Sequence, residues 1–165
     1  QFVRTLISAD SKYDKFLLRK VSLTPSEING MDLYYSEEGD CFHCHGTPLL
    51  TDGDFHNNGL DENPEEGRMA VTSNPQDRGR FKSPTLRNIA LTAPYMHDGR
   101  FKTLEEVIDF YSEGLKYSTT IDPLMKQTHA GGMQLTTQEK ADLLAFLHCF
   151  TDSTFLNNPA YASPF

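Results

Sequence analysis

Apolar residues recur at helical spacing in three stretches of this chain and lose all periodicity between them. The first stretch is LTPSEINGMDLYYSEEGD. Thr24 suits an N-cap, Pro25 the first helical position, and Glu27 completes a capping box. Ile28, Met31 and Tyr35 then fall on one helical face. Gly30 sits inside this helix at a cost of about 1 kcal/mol against Ala, which implies close packing there. The helix is expected to stop near Gly39. The second stretch opens at Thr103, with Glu106 three residues on. Its stripe is Leu104, Val107, Ile108 and Tyr111, an apolar face that ends in a phenol, and Gly114 closes it. The third is QEKADLLAFLHCF, capped by Thr136 or Thr137, with a stripe of Leu143, Leu144, Leu147 and Phe150.

The remaining segments carry weaker signals. Residues 2–8 read as the end of a helix that began upstream, and Asp10 to Lys20 as a polar connection. Residues 46–82 are rich in Gly, Pro, Asn and Asp and predict a long loop with at most short helical turns. Loops of that length are usually functional or wrapped on something. A short helix is expected from Ser83-Pro84 to about Leu91, ended by Pro94. Residues 115–135 are loop, turning at Gly131-Gly132, and 151–165 form a tail. No strand pattern or internal repeat is visible, and no apolar run approaches membrane-spanning length. The pattern predicts an all-α domain with long ordered loops.

Composition adjusts this picture in two ways. With 165 residues, 38% apolar and 23% charged, the chain is one domain of ordinary size, on the polar side. A large apolar cofactor that supplies part of the core suits such a composition. The net charge of −8 argues against nucleic acid. It fits a solvated acidic surface, and equally a basic redox partner steered by charge. The opening QFVRTLISADSKYDKFLL lacks the pattern of a secretory leader, so the leader is expected to have been removed or the chain to be a fragment.

The chemistry concentrates in CFHCH. Of three cysteines, Cys41 and Cys44 form C-x-x-C followed directly by His45. This is the attachment site of c-type haem: two thiols add to the vinyl groups of one porphyrin edge, and the next His reaches the iron. A zinc site would want a second ligand pair, which His43, His56, His97 and Cys149 do not offer. A thioredoxin-type pair would sit in a βαβ unit. His43 is expected to point outward with no specific role. His56 is read as a hydrogen-bonded loop residue, and Cys149 as a small buried apolar one. His129 and His148 are read as surface or loop residues. The sixth iron position has five candidates: Met96, His97, Tyr111, Met125 and Met133. A thioether favours ferrous iron and raises the potential, whereas a phenolate favours ferric iron and lowers it. On periodicity alone, a Tyr on an apolar stripe also reads as core.

The run GRFKSPTLRNIALTAPYMHDGRFKTLEEVIDFY, with CFHCHG upstream and GGMQLTTQEKADLLAFL downstream, resembles the C-terminal half of bacterial di-haem cytochrome c peroxidases and their MauG-type relatives. The resemblance implies a class I cytochrome c-like haem domain over residues 24–150. Residues 1–23 would be a linker and the end of a helix from a preceding domain. It implies one haem c in this chain, electron transfer, and hydrogen peroxide as the substrate of the two-haem assembly. The peroxide-reactive haem would lie in an N-terminal domain or second chain, with a small redox protein as electron donor in a periplasmic compartment. It places a Met, or in MauG-type proteins a Tyr, at the position of Tyr111, fourteen residues after His97. His97 would lie near a haem propionate. A calcium ion would take backbone carbonyls at Thr92 and Pro94. Arg87 suits either a haem propionate or a structural ion pair. Phe81, Leu86 and Met96 are expected as walls of the haem pocket.

Overall fold

The computed structural model describes residues 1–162. In chain order the helices are α1 (Lys12–Leu17), α2 (Pro25–Tyr34), α3 (Met69–Thr72), α4 (Leu104–Glu113), α5 (Thr137–His148) and α6 (Ser153–Leu156). Two strands of two residues each, β1 (Phe55–His56) and β2 (Phe81–Lys82), pair antiparallel, with Phe55 opposite Lys82 and His56 opposite Phe81. No helix among the described residues is long and apolar enough to cross a membrane. The architecture is that of a helical cytochrome c-like domain.

The centre of the fold is the crossing of α2 and α5. Both helices start as their sequences predict, with full capping boxes at Thr24/Glu27 and Thr136/Glu139. A Cβ at Gly30 would lie 2.0 Å from the carbonyl oxygen of Asp142, so only glycine lets these backbones approach so closely. Tyr34, Phe146 and Phe150 are fully buried beside the crossing and meet edge to face at centroid distances of 5.0–5.7 Å. That is the arrangement aromatic quadrupoles favour. Tyr13, from α1, packs edge-on against Phe146 at 5.2 Å.

α4 leans on α5 and divides the interior. Its Leu104 and Ile108 enter the main core. Its Phe110 faces a second, smaller cluster with Leu60 and Leu115, against which Met96, Tyr111 and Met125 pack.

Several expectations are corrected. Residues 10–20 contain a helix, α1, where a polar connection was expected. Ser11 and Asp14 form a capping box whose carboxylate also binds Arg87. Helix α2 ends at Tyr34 rather than near Gly39, because the chain folds back so tightly that a Cβ at Gly39 would lie 2.2 Å from the Leu33 carbonyl oxygen. Its buried face is Gly30, Leu33 and Tyr34, while Ile28 is exposed. On α5, Phe146 is buried where the stripe named the half-buried Leu144. Residues 83–91 hold no α-helix, only a 3-10 turn at Ile89–Leu91. Their amides are claimed by other segments: Leu86 donates to Leu50 O and Asn88 to Phe150 O. The unperiodic stretch 46–82 contributes both strands, β1 and β2, the single helical turn α3 and a 3-10 turn, Pro75–Asp77. Residues 2–8 hold only a 3-10 turn, Phe2–Thr5. The tail is ordered through α6, and Tyr161 returns to donate to Thr5 O at 2.7 Å. Residues 163–165 of that tail lie outside the described residues.

Candidate haem site

The motif CFHCH follows α2 almost at once, as a 3-10 turn, Cys41–His43. Cys41 and Cys44 are both free thiols. Burial pushes each thiol up to about 12, and the carboxylate of Asp40 adds to the effect on both. Both therefore stand protonated in the protein alone.

His45 is held by backbone carbonyls. Its Nδ1 lies 3.1 Å from Pro84 O and 3.3 Å from Leu50 O. Both partners can only accept, so Nδ1 carries the proton. Among the described residues Nε2 makes no protein hydrogen bond. Burial lowers the ring's pKa, against the upward pull of these two carbonyls. The result is a neutral imidazole with its Nε2 lone pair available, the state a metal-bound His needs. Tyr34 donates to the His45 carbonyl at 2.5 Å, and Ser83 Oγ to the Cys44 carbonyl at 3.0 Å. The turn is thus fixed from both sides.

Of the candidates for the sixth position, Tyr111, Met96 and Met125 converge on the small cluster behind Phe110. The Tyr111 hydroxyl receives a hydrogen bond from Asn58 Nδ2 at 3.0 Å, and Met96 Sδ lies 3.5 Å from the same nitrogen. Burial pushes the phenol up to about 12, and the Asn58 donor eases this. Met133 packs instead against the main core, although its amide donates to Tyr111 O. His97 stacks face to face on Phe81, centroids 3.7 Å apart. Leu86 packs on the main core.

One reading narrows here and one changes. Arg87 is committed to an ion pair: its guanidinium forks onto both oxygens of Asp14 at 2.9 and 3.0 Å and donates to Pro48 O. Three of its five N–H donors are engaged in this way. His43 is half-buried rather than free, hydrogen-bonded to Asp40 and packed at a tilt against Phe42. His56 is hydrogen-bonded as expected, between Asp52 and Asp122 at 2.7 and 2.8 Å, but it sits in β1 rather than in a loop. Cys149 is buried as expected. Thr92 and Pro94 lie on an exposed turn with a cis Ala93–Pro94 bond. Nothing in the sequence pattern marks Asn58, Ser83, Pro84 O or Leu50 O as parts of the site. Two are backbone atoms, and the side chains lie in segments without periodicity.

No family model matches the chain. Among curated proteins it is similar to the cytochrome-c peroxidase IdrP2 of Denitromonas iodatirespirans, 32% identical over 181 residues covering 92% of this chain and 47% of the relative. It is also 32% identical over 148 residues to the methylamine utilization protein MauG of Methylorubrum extorquens, covering 88% of this chain and 40% of that protein. The chain belongs to the di-haem cytochrome c peroxidase and MauG family. Among solved structures, a MauG-like protein associated with microbial copper homeostasis superposes with a TM-score of 0.87 at 41% identity, covering 95% of this chain and 52% of that one. The diheme peroxidase BthA of Burkholderia thailandensis shares the fold, with a TM-score of 0.69 at 22% identity over 89% of this chain and 47% of that one.

The chain spans about half the length of the curated relatives it matches, as one haem-domain half of such a protein does. The cofactors of the di-haem family are c-type haems, and the residues of this site fit that group. Two unpaired thiols stand beside an imidazole whose Nδ1 is occupied and whose Nε2 is free.

Proposed function

We propose that this domain is the electron-transferring half of a di-haem peroxidase or MauG-like oxidase. Cys41 and Cys44 would hold one haem c, with His45 and Tyr111 as axial ligands. The observation that carries this reading is the Tyr111 hydroxyl, half-buried in the cluster of Phe110, Met96 and Met125 and, among the described residues, hydrogen-bonded only as an acceptor from Asn58. When bound, a c-type haem supplies one-electron chemistry at its iron. His45 presents Nε2 because its proton is held on Nδ1 by Pro84 O and Leu50 O. Tyr111 has to lose its proton to ligate as a phenolate. Burial opposes that loss in the protein alone, so a neighbouring cation must supply the compensation.

In the complete assembly, a peroxide-reactive haem in an N-terminal domain or second chain would exchange electrons or oxidising equivalents with this half. Hydrogen peroxide would be the substrate and a small redox protein the donor. Covalent haem attachment fits a periplasmic compartment. His97, stacked on Phe81, and Met96 would line the pocket. A calcium ion on the carbonyls of Thr92 and Pro94 would belong to the face shared with the other half.

The test is the ferric absorption spectrum and reduction potential of the haem-loaded protein against Tyr111→Phe. A lost phenolate-to-iron band and a raised potential are expected. An unchanged spectrum would overturn the axial assignment. Changes on Met125→Leu or Met133→Leu in its place would indicate a mono-haem carrier with a thioether ligand.

A further inference from the structure

We infer that Asn58 is a positioning residue for Tyr111: its amide N–H holds the phenol oxygen as an acceptor, and the sulfur of Met96 fixes which way the amide points. The inference rests on Tyr111 as an iron ligand and concerns what prepares it. Asn58 Nδ2 lies 3.0 Å from Tyr111 Oη and 3.5 Å from Met96 Sδ. A phenol can donate or accept, so it does not by itself reveal which end of the amide it meets. A thioether can only accept. Met96 therefore demands the NH2 end, whose two hydrogens serve the two acceptors. The carbonyl end of the amide is turned away.

This orientation has a chemical consequence. A carbonyl facing Tyr111 would engage the phenol proton and keep it on oxygen. An N–H donor leaves that proton free to depart, and its bond to the resulting phenolate becomes charge-assisted and stronger. Asn58 thus anchors the Tyr111 oxygen in one place as an acceptor.

The three residues come from three separate segments, each held by its own framework. The Asn57 side chain donates to Ser118 Oγ and Thr120 Oγ1, and its Oδ1 accepts from the amide of Gly59. Gly59 O accepts from Lys116, and Asn57 O from Asp122. The backbone of Asn58 is therefore pinned on both sides. Met96 occupies the left-handed region, with φ +71, in a turn closed by Gly99 N to Met96 O. Tyr111 is carried by α4.

The experiment compares haem-loaded parent, Asn58→Leu, Asn58→Asp, Met96→Leu and Tyr111→Phe by ferric spectrum and reduction potential. In Asn58→Leu the phenolate loses a donor and gives more charge to ferric iron. The ferric-to-ferrous ratio at fixed poise rises about tenfold, about 59 mV lower in potential for a one-electron couple. In Asn58→Asp a carboxylate faces the phenolate, and the spectrum moves toward that of Tyr111→Phe. Met96→Leu removes the orienting sulfur without touching Asn58, so it lowers the potential by less than Asn58→Leu. If one Asn58 variant does not fold, the other and Met96→Leu still decide. Parent-like spectra and potentials in the folded variants, beside an altered Tyr111→Phe, overturn the role of Asn58 alone. A parent-like Tyr111→Phe overturns the axial assignment and this inference with it.

Discussion

The imidazole Nδ1 of His45 donates to the backbone carbonyl of Pro84 at 3.1 Å, across 39 positions of sequence. The bond fixes both the tautomer and the tilt of the ring that follows the two cysteines. It depends on the segment around Ser83, because nothing local to CFHCH supplies that carbonyl.

Ser83 is the accessible handle on this arrangement. It is buried, its Oγ donates to Cys44 O at 3.0 Å, and its own carbonyl accepts from Thr51 Oγ1 at 2.7 Å. Ser83→Ala removes one of two donors to the Cys44 carbonyl, which keeps the amide of Asp52. The expected loss is about 0.5–1.5 kcal/mol, the net worth of one hydrogen bond. Urea unfolding of the haem-loaded protein measures it, and an unchanged midpoint would mean that the clamp contributes nothing to stability.

Gly30→Ala tests the helix crossing. In an isolated helix the change gains about 1 kcal/mol. Here the new methyl would lie 2.0 Å from Asp142 O and 2.9 Å from Phe146 Cβ. Backbone cannot move aside as a flexible side chain does, so overpacking wins and a net loss of about 1–3 kcal/mol is expected. Thermal unfolding reports it as a lower Tm. A raised Tm would show that α2 and α5 separate without cost.

His56 gives the stability a pH dependence near neutrality. Burial works against the charged ring, but Asp122 and then Asp52 outweigh it and raise the pKa above its usual value of about 6.5. A group raised on folding stabilises fully below its unfolded pKa and loses that contribution as pH climbs through the folded one. Stability should therefore fall as pH rises from about 6.5 through the raised value. His56→Gln should flatten that stretch of the curve. Parallel slopes for the two proteins would contradict the assignment.

The ion pair of Lys12 and Glu27 governs the acid side. Burial would raise the carboxyl of Glu27. The Lys12 ammonium, at 2.5 and 2.7 Å, and the amide of Thr24 overcome this and bring it down to about 2. A carboxyl lowered on folding stabilises above its unfolded pKa and loses that contribution as pH falls to the folded value. The contribution should thus disappear between about pH 4.5 and pH 2. Lys12→Met should lower the urea midpoint near neutral pH while approaching the parent in strong acid. Equal differences at both ends would argue against the pair.

Legibility in the sequence followed locality. The boxes at Thr24 and Thr103, and a cap at Thr136 or Thr137, announced three helix starts, because a cap is satisfied within four residues. The same reasoning applied to Ser11 and Asp14, yet α1 was read as connection; it is short, and only Tyr13 of it is buried. The helix expected after Ser83 failed for the opposite reason. Its donors are taken by Leu50 and Phe150, partners that no local window contains.

The sequence by itself determined the attachment motif, the helical class of the fold, the close approach at Gly30 and the phenol at the end of the α4 stripe. Each is set by spacing along a few turns of chain. Tertiary structure alone decided which nitrogen of His45 is free, that Arg87 serves Asp14, and that Asn58 and Met96 meet at Tyr111. These depend on hydrogen bonds between segments far apart in sequence. A hydrogen bond is decided over about 3 Å of space, and sequence order does not encode that distance.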